Sequence, residues 1–231
     1  MSSLFHGIIS GNRRRSHDDV AERAERIASG LKSLGVAQGD SVCMLLRNDI
    51  AFIEAAYAAM RLGAYGVPVN WHFKPEEINY VLKDSGSAVL IAHADMLHQL
   101  REAIPQGVTV LAVPTPPEIL ATYKIDPDHL TTPDFAIDFE SWLKQHPRYD
   151  GPAVPQPQNM IYTSGTTGHP KGVRRFAPTP AQTANAEAMR AMISGGVGTP
   201  STVTPCGIAS RRPCSMSAWA ISTRVPESFR T

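Results

Sequence analysis

Residues 41–70, SVCMLLRNDIAFIEAAYAAMRLGAYGVPVN, carry three structural signals in order. SVCMLL is a short apolar run of the length and make-up of a buried strand. IAFIEAAYAAMRLG is dense in helix formers and stops at Gly63. AYGVPVN then returns to strand character. Strand, helix and strand at this spacing predict a βαβ unit, with two parallel strands joined by a crossover helix.

The same alternation continues on both sides. Upstream, Val20, Ala24, Ile27, Leu31 and Leu34 recur at steps of three and four, the apolar face of a helix that Gly35 can end. A turn at Gly39-Asp40 leads into the first strand. Downstream, Pro75 at a first helical position, followed by Glu76 and Glu77, opens the helix PEEINYVLKDSG. SAVLIAH reads as a strand, ADMLHQLREAIP as a helix and VTVLAVP as a strand. The expected fold class is therefore α/β, a mostly parallel sheet with flanking helices. Residues 114–158 are rich in proline, with one helix around DFESWLKQHP. Strand character resumes at NMIYTS, so this stretch reads as a long surface excursion within one domain. No internal repeat is present in the sequence.

Composition narrows the function classes. A chain of 231 residues with 42% hydrophobic content can build a sizeable core. A formal net charge of +1 provides no global field for nucleic acid or an anionic membrane, so small molecules are the expected partners. The basic run Arg13-Arg14-Arg15 reads as a solvated loop ahead of the first helix and is given no function. The N-terminus has no secretion signal and no segment reaches the roughly 18 apolar residues of a transmembrane helix, which reads as a cytoplasmic chain. Cys43 lies in an apolar run and reads as a core thiol. Cys206 and Cys214, with seven residues between them, fit neither a zinc knuckle nor a disulfide framework.

The chemistry is concentrated in Tyr162–Val173, YTSGTTGHPKGV, directly after the apolar NMI. Thr163, Ser164, Thr166 and Thr167 supply hydroxyl donors, Gly165 and Gly168 expose backbone N–H groups, and Lys171 supplies positive charge. Such a loop suits a polyphosphate. It is not the Walker loop GxxxxGK[ST]: counted from Gly165 the sixth residue is Pro170, and Gly172 follows Lys171. Nucleotide triphosphate hydrolysis by a Walker loop is thereby disfavoured. A plain hairpin turn between NMIYT and GVRR would need neither four hydroxyls nor the Pro-Lys-Gly ending. His169 reads as an exposed loop residue without a catalytic role.

YTSGTTGHPKGV resembles the phosphate-binding signature of the adenylate-forming, or AMP-binding, superfamily. RRRSHDDVAERAERIASGLKSLGVAQGDSVCMLLRN and MRLGAYGVPVNWHFKPEEINYVLKDSGSAVLI resemble its opening and next core segments, so the likeness extends over roughly residues 10–193. TPAQTANAEAMRAMI reads as the helix expected after the phosphate loop. Pro68-Val69-Asn70 and His72-Phe73 look more like acyl- and aryl-CoA ligases than like peptide synthetase modules. The resemblance implies the incomplete N-terminal portion of the synthetase large domain. It also implies a two-step reaction: a carboxylate attacks the α-phosphate of ATP, releasing pyrophosphate, and coenzyme A then displaces AMP. ATP, Mg²⁺ and coenzyme A are the implied cofactors, with a small-molecule carboxylic acid as substrate. Carried over by position, Thr163, Ser164, Gly165, Thr166, Thr167, Gly168 and Lys171 would surround the β- and γ-phosphates. No catalytic or metal-binding residue is assigned.

Relatives of this type carry further motifs for adenine, ribose and Mg²⁺, and a C-terminal domain with a Lys that contacts the adenylate. The 231 residues contain none of them. Residues 194–231 lose periodic patterning, lack Leu, Lys and Asp, and are heavy in Ser, Thr, Pro and Arg. Two readings of this stretch are open: a flexible tail, or translation in a shifted frame of a GC-rich gene. The expected division is a partial N-terminal AMP-binding domain over 1–193 and an aberrant or disordered tail over 194–231. The expected function is an AMP-forming acyl-CoA synthetase by descent, inactive as this chain alone. The alternative is a non-catalytic remnant, an interaction module or half of a split enzyme.

Overall fold

The computed structural model describes residues 6–155, 160–163, 170–174, 179, 182, 185 and 201–203. It opens with an antiparallel hairpin, β1 (Gly7–Ser10) and β2 (Arg13–Ser16), followed by α1 (His17–Ser33). Ser16 caps α1 by accepting from the Asp19 amide at 3.1 Å. The predicted βαβ unit follows as β3 (Ser41–Leu45), α2 (Ile50–Arg61) and β4 (Tyr65–Pro68), with β3 and β4 parallel. Next come α3 (Pro75–Ser85), β5 (Val89–His93), the single turn α4 (Ala94–Leu97), a 3₁₀ turn at Arg101–Ala103 and β6 (Thr109–Val113). ADMLHQLREAIP is thus two short helical pieces rather than one helix.

Residues 114–158 do more than skirt the surface. They form α5 (Pro117–Tyr123), a 3₁₀ turn at Pro127–Leu130, β7 (Ile137–Asp138) and α6 (Phe139–Lys144). β7 pairs with β6 and completes the sheet, while Phe139, Trp142 and Leu143 are buried in the core. Proline density hid this because the two-residue strand is too short to show alternation. The remaining elements are β8 (Ile161–Thr163), β9 (Lys171–Val173) and β10 (Ser201–Val203), the last parallel to β1. Gln182 and Asn185 are helical, within the helix predicted after the phosphate loop.

The main sheet is parallel, with strand order β4-β3-β5-β6-β7. Its strands are hydrophobic on both faces because both are covered. Along β3, Val42 and Met44 join Ile27, Leu31, Ala55, Ala58 and Trp142 on one side. Cys43 and Leu45 join Val81, Leu82, Leu97 and Met160 on the other. The period of two in the strand therefore divides one apolar run between two helical layers. Cys43 is buried, and burial pushes its thiol pKa up although Ser87 and Ser85 act in the opposite sense.

The basic run is no solvated loop. Arg13 reaches Glu118 at 2.7 Å and Asp49 at 3.2 Å, and Arg15 reaches Glu54 at 3.0 Å. Alternation along β2 turns Arg13 and Arg15 to one face, where the buried carboxylates of Asp49, the cap of α2, and of Glu54 within α2 need counter-charge.

Candidate functional site

An open parallel sheet binds ligands where its strand order reverses, outside the carboxyl ends of the strands. Here that point lies between β3 and β5, which are connected to opposite sides of the sheet. The chain's own side chains occupy it. The Arg47 amide donates to His93 Nδ1 at 3.3 Å, and the Arg47 guanidinium pairs with Asp95 at 2.9 Å. That guanidinium also stacks on Trp71 and Tyr123, 5.1 and 4.8 Å from their ring centres. Thr115 donates to Asp95 at 2.6 Å, and His93 Nε2 stands 3.6 Å from Asp49, beyond hydrogen-bonding reach. Beside them a cavity of about 220 Å³ is lined by Arg13, Arg15, Arg23, Asp49, Glu54 and Glu140, with both signs of charge interleaved. This network ties loops together and shows no preference for a ligand of either charge.

The phosphate-loop sequence begins and ends on an antiparallel hairpin. Ile161 faces Val173, Tyr162 faces Gly172 and Thr163 faces Lys171. Directly opposed residues share a face, so Thr163 and Lys171 stand side by side as the last pair of the hairpin. Both are exposed, while the alternate face, carrying Met160 and Tyr162, turns inward. Met160 is buried, and its amide donates to the Gly66 carbonyl at 3.2 Å, which fastens the hairpin beside β4.

Tyr162 makes the second attachment. Its ring packs on the apolar layer beneath α3, and its hydroxyl donates to Asp84 Oδ2 at 2.6 Å. Burial, and then the hydrogen bond and charge of Asp84, raise the Tyr162 pKa, so the hydroxyl keeps its proton. The ring needs room across the strand pair. A Cβ on Gly172 would come within 2.5 Å of Met160 and 2.8 Å of the Tyr162 ring. Gly172, one of the two residues that break the Walker pattern, is what lets Tyr162 cross its neighbouring strand.

Of the predicted phosphate contacts, Thr163 and Lys171 are brought together in this last pair. Ser164, Gly165, Thr166, Thr167 and Gly168 lie outside the described residues, as does His169. The sequence motif by itself assigns no role to Tyr162, Asp84 or Gly172. The Met160–Tyr162 alternation could have flagged the inward ring, whereas Asp84, 78 residues earlier, left no local signal. Among the described residues no cluster of three or more His, Cys, Asp or Glu is placed to hold a metal ion, and no helix is long and apolar enough to cross a membrane.

Comparison with known proteins places this architecture. Residues 5–193 match the model of the AMP-binding enzyme family. A long-chain-fatty-acid–CoA ligase of Mycobacterium tuberculosis is 33% identical over 164 residues, 69% of this chain and 29% of the relative. A 4-coumarate–CoA ligase of Oryza sativa subsp. japonica is 32% identical over 176 residues, 72% of this chain and 28% of the relative. The chain thus spans less than a third of the length of these curated relatives. Among solved structures, a benzoate CoA ligase from Burkholderia xenovorans LB400 superposes with a TM-score of 0.64 at 17% identity, over 87% of this chain and 42% of that one. The anthranilate CoA ligase AuaEII, in complex with anthranoyl-AMP, gives 0.60 at 23% identity, over 74% of this chain and 32% of that one. A parallel α/β sheet, a hydroxyl- and glycine-rich sequence whose two ends pair as a hairpin, and a match over residues 5–193 agree on one assignment: the chain belongs to the AMP-binding enzyme family.

Proposed function

We propose that this chain carries the ATP-phosphate-binding part of an AMP-forming acyl-CoA synthetase. The observation that carries the reading is the cross-strand pair of Thr163 and Lys171, exposed together as the last pair of the hairpin. In this reading Thr163, Ser164, Gly165, Thr166, Thr167, Gly168 and Lys171 contact the β- and γ-phosphates. Their chemistry is electrostatic: hydroxyl and backbone donors and one ammonium stabilise the negative charge that builds on the departing pyrophosphate. No proton transfer is asked of them. Mg²⁺ enters with the nucleotide, and no described side chain is assigned to it.

The substrate class is a carboxylic acid activated as its acyl-adenylate, with coenzyme A as acceptor; the ligase names of the relatives support it. In this reading the 231 residues hold the phosphates without completing adenylation, because none of them matches the adenine, ribose or Lys motifs that the family resemblance implies. The test is ATP binding by calorimetry, paired with pyrophosphate release in the presence of fatty and aromatic acids. ATP should bind weakly, Lys171→Ala should weaken it by about tenfold, and no pyrophosphate should appear. Equal ATP affinity for the wild type and Lys171→Ala would remove the phosphate-site reading, and turnover by the chain alone would remove its inactivity.

A further inference from the structure

The geometry points to Tyr162 as a positioning residue: latched to Asp84 across Gly172, it holds β8 and β9 against α3 and thereby sets where Thr163 and Lys171 stand. The ligand it serves, a nucleoside triphosphate, rests on the phosphate-site reading above. The latch itself rests on the Tyr162–Asp84 contact, which does not depend on that reading.

Three observations converge on it. The hairpin is short, with three facing pairs, and a two-stranded ribbon of that length is marginal unless something holds it. Its attachments sit at successive inward positions: Met160 is buried against the apolar layer and bonded to Gly66, and Tyr162 is bonded to Asp84. Tyr162 is the inward residue nearest the loop, next in sequence to Thr163 and paired with the residue after Lys171. Any rotation or register slip of the hairpin end must therefore break the Tyr162–Asp84 bond or drive the ring into Gly172. A slip of one residue in either strand would also turn that strand's member of the Thr163–Lys171 pair inward. Asp84 lies on α3, two residues before Gly86, and α3 packs on the sheet through Ile78, Val81 and Leu82. The acceptor is thus an exposed carboxylate on a helix packed against the core, and the hydroxyl ties the end of the hairpin to that helix.

The experiment uses the full 231-residue chain. Tyr162→Phe keeps the ring and removes the donor, Asp84→Ala removes the acceptor, and Asp84→Asn keeps a neutral acceptor in the same place. Tyr162→Phe and Asp84→Ala should each weaken ATP binding by about five- to tenfold while the thermal midpoint of the core stays near wild type. The double variant should be no weaker than either single one, because both remove the same bond. Asp84→Asn should restore affinity to within about twofold of wild type, because its amide oxygen still accepts. Amide hydrogen exchange without nucleotide should quicken across Ile161–Thr163 and Lys171–Val173 in Tyr162→Phe and Asp84→Ala, and not in Asp84→Asn.

Additive losses, or Asp84→Asn behaving like Asp84→Ala, would overturn the latch in favour of a charge effect of Asp84. Quickened exchange with unchanged ATP affinity would overturn the positioning role. A wild type that binds no ATP would sink only the phosphate-site reading; the exchange data would still decide the latch, unchanged rates counting against it.

Discussion

Asp49 has no exposed surface, yet its carboxyl is held below the ordinary carboxylate pKa. Burial alone favours the neutral acid; the nearby His93, the Phe52 amide and Arg13 outweigh it. A carboxylate whose folded pKa lies below its unfolded one contributes stability at higher pH, and that contribution is lost as pH falls from about 4 through the folded value. Asp49→Asn keeps an oxygen for the helix cap but removes the charge facing Arg13, which retains Glu118, so it should cost about 1–2 kcal/mol at neutral pH. It should also flatten the acid limb of stability, which urea midpoints at neutral and acid pH will measure. Glu54, in the helix that Asp49 caps, runs the other way: burial outweighs Arg23 and Arg15 and raises its pKa, so its contribution weakens as pH rises. Asp49 before an apolar run is a cap that sequence can disclose. Its ionic partner Arg13, 36 residues upstream, is not, because chain order carries no record of which charges folding brings together.

At the scale of elements, α1 against α6 shows packing overruling propensity. Alanine is favoured over glycine in a helix interior by about 1 kcal/mol, so Gly30→Ala looks stabilising from sequence. In the folded chain a Cβ there would meet the Trp142 ring at 2.3 and 2.5 Å and His146 at 2.7 Å. Trp142 is buried and cannot withdraw without opening the core between Phe139 and Leu143. The steric term wins, and Gly30→Ala should lower stability by about 1–3 kcal/mol. Thermal melts together with Trp142 fluorescence will check it, and a stabilised variant with unchanged emission would show that α6 is free to shift. The long elements α1, α2, α3, β3, β5 and β6 were legible because each carries its own periodicity. β7 and the β1–β2 hairpin were not, because they are short and their residue types follow from what they touch.

At the scale of the whole molecule, the described core runs from Ile8 to Met160 and is divided by one sheet into two apolar layers. Beyond Met160, β10 adds backbone pairing to β1 at Ser201–Val203. We expect a chain ending at Ile193 to keep the thermal midpoint of the 231-residue form to within about 3 °C, since removing a three-residue edge strand exposes little core. A collapse of the midpoint in differential scanning calorimetry would instead make residues 194–231 part of the folding unit. The amino-acid sequence by itself determined the α/β class, the order of the long elements and the family motif YTSGTTGHPKGV, all of which are local patterns of period, turn chemistry and spacing. Only the tertiary structure decided that the basic run neutralises buried acids, that residues 114–158 supply a strand and core side chains, and that Gly172 makes room for Tyr162 to reach Asp84. Those outcomes depend on contacts between residues tens of positions apart, which burial and close packing select and no local window contains.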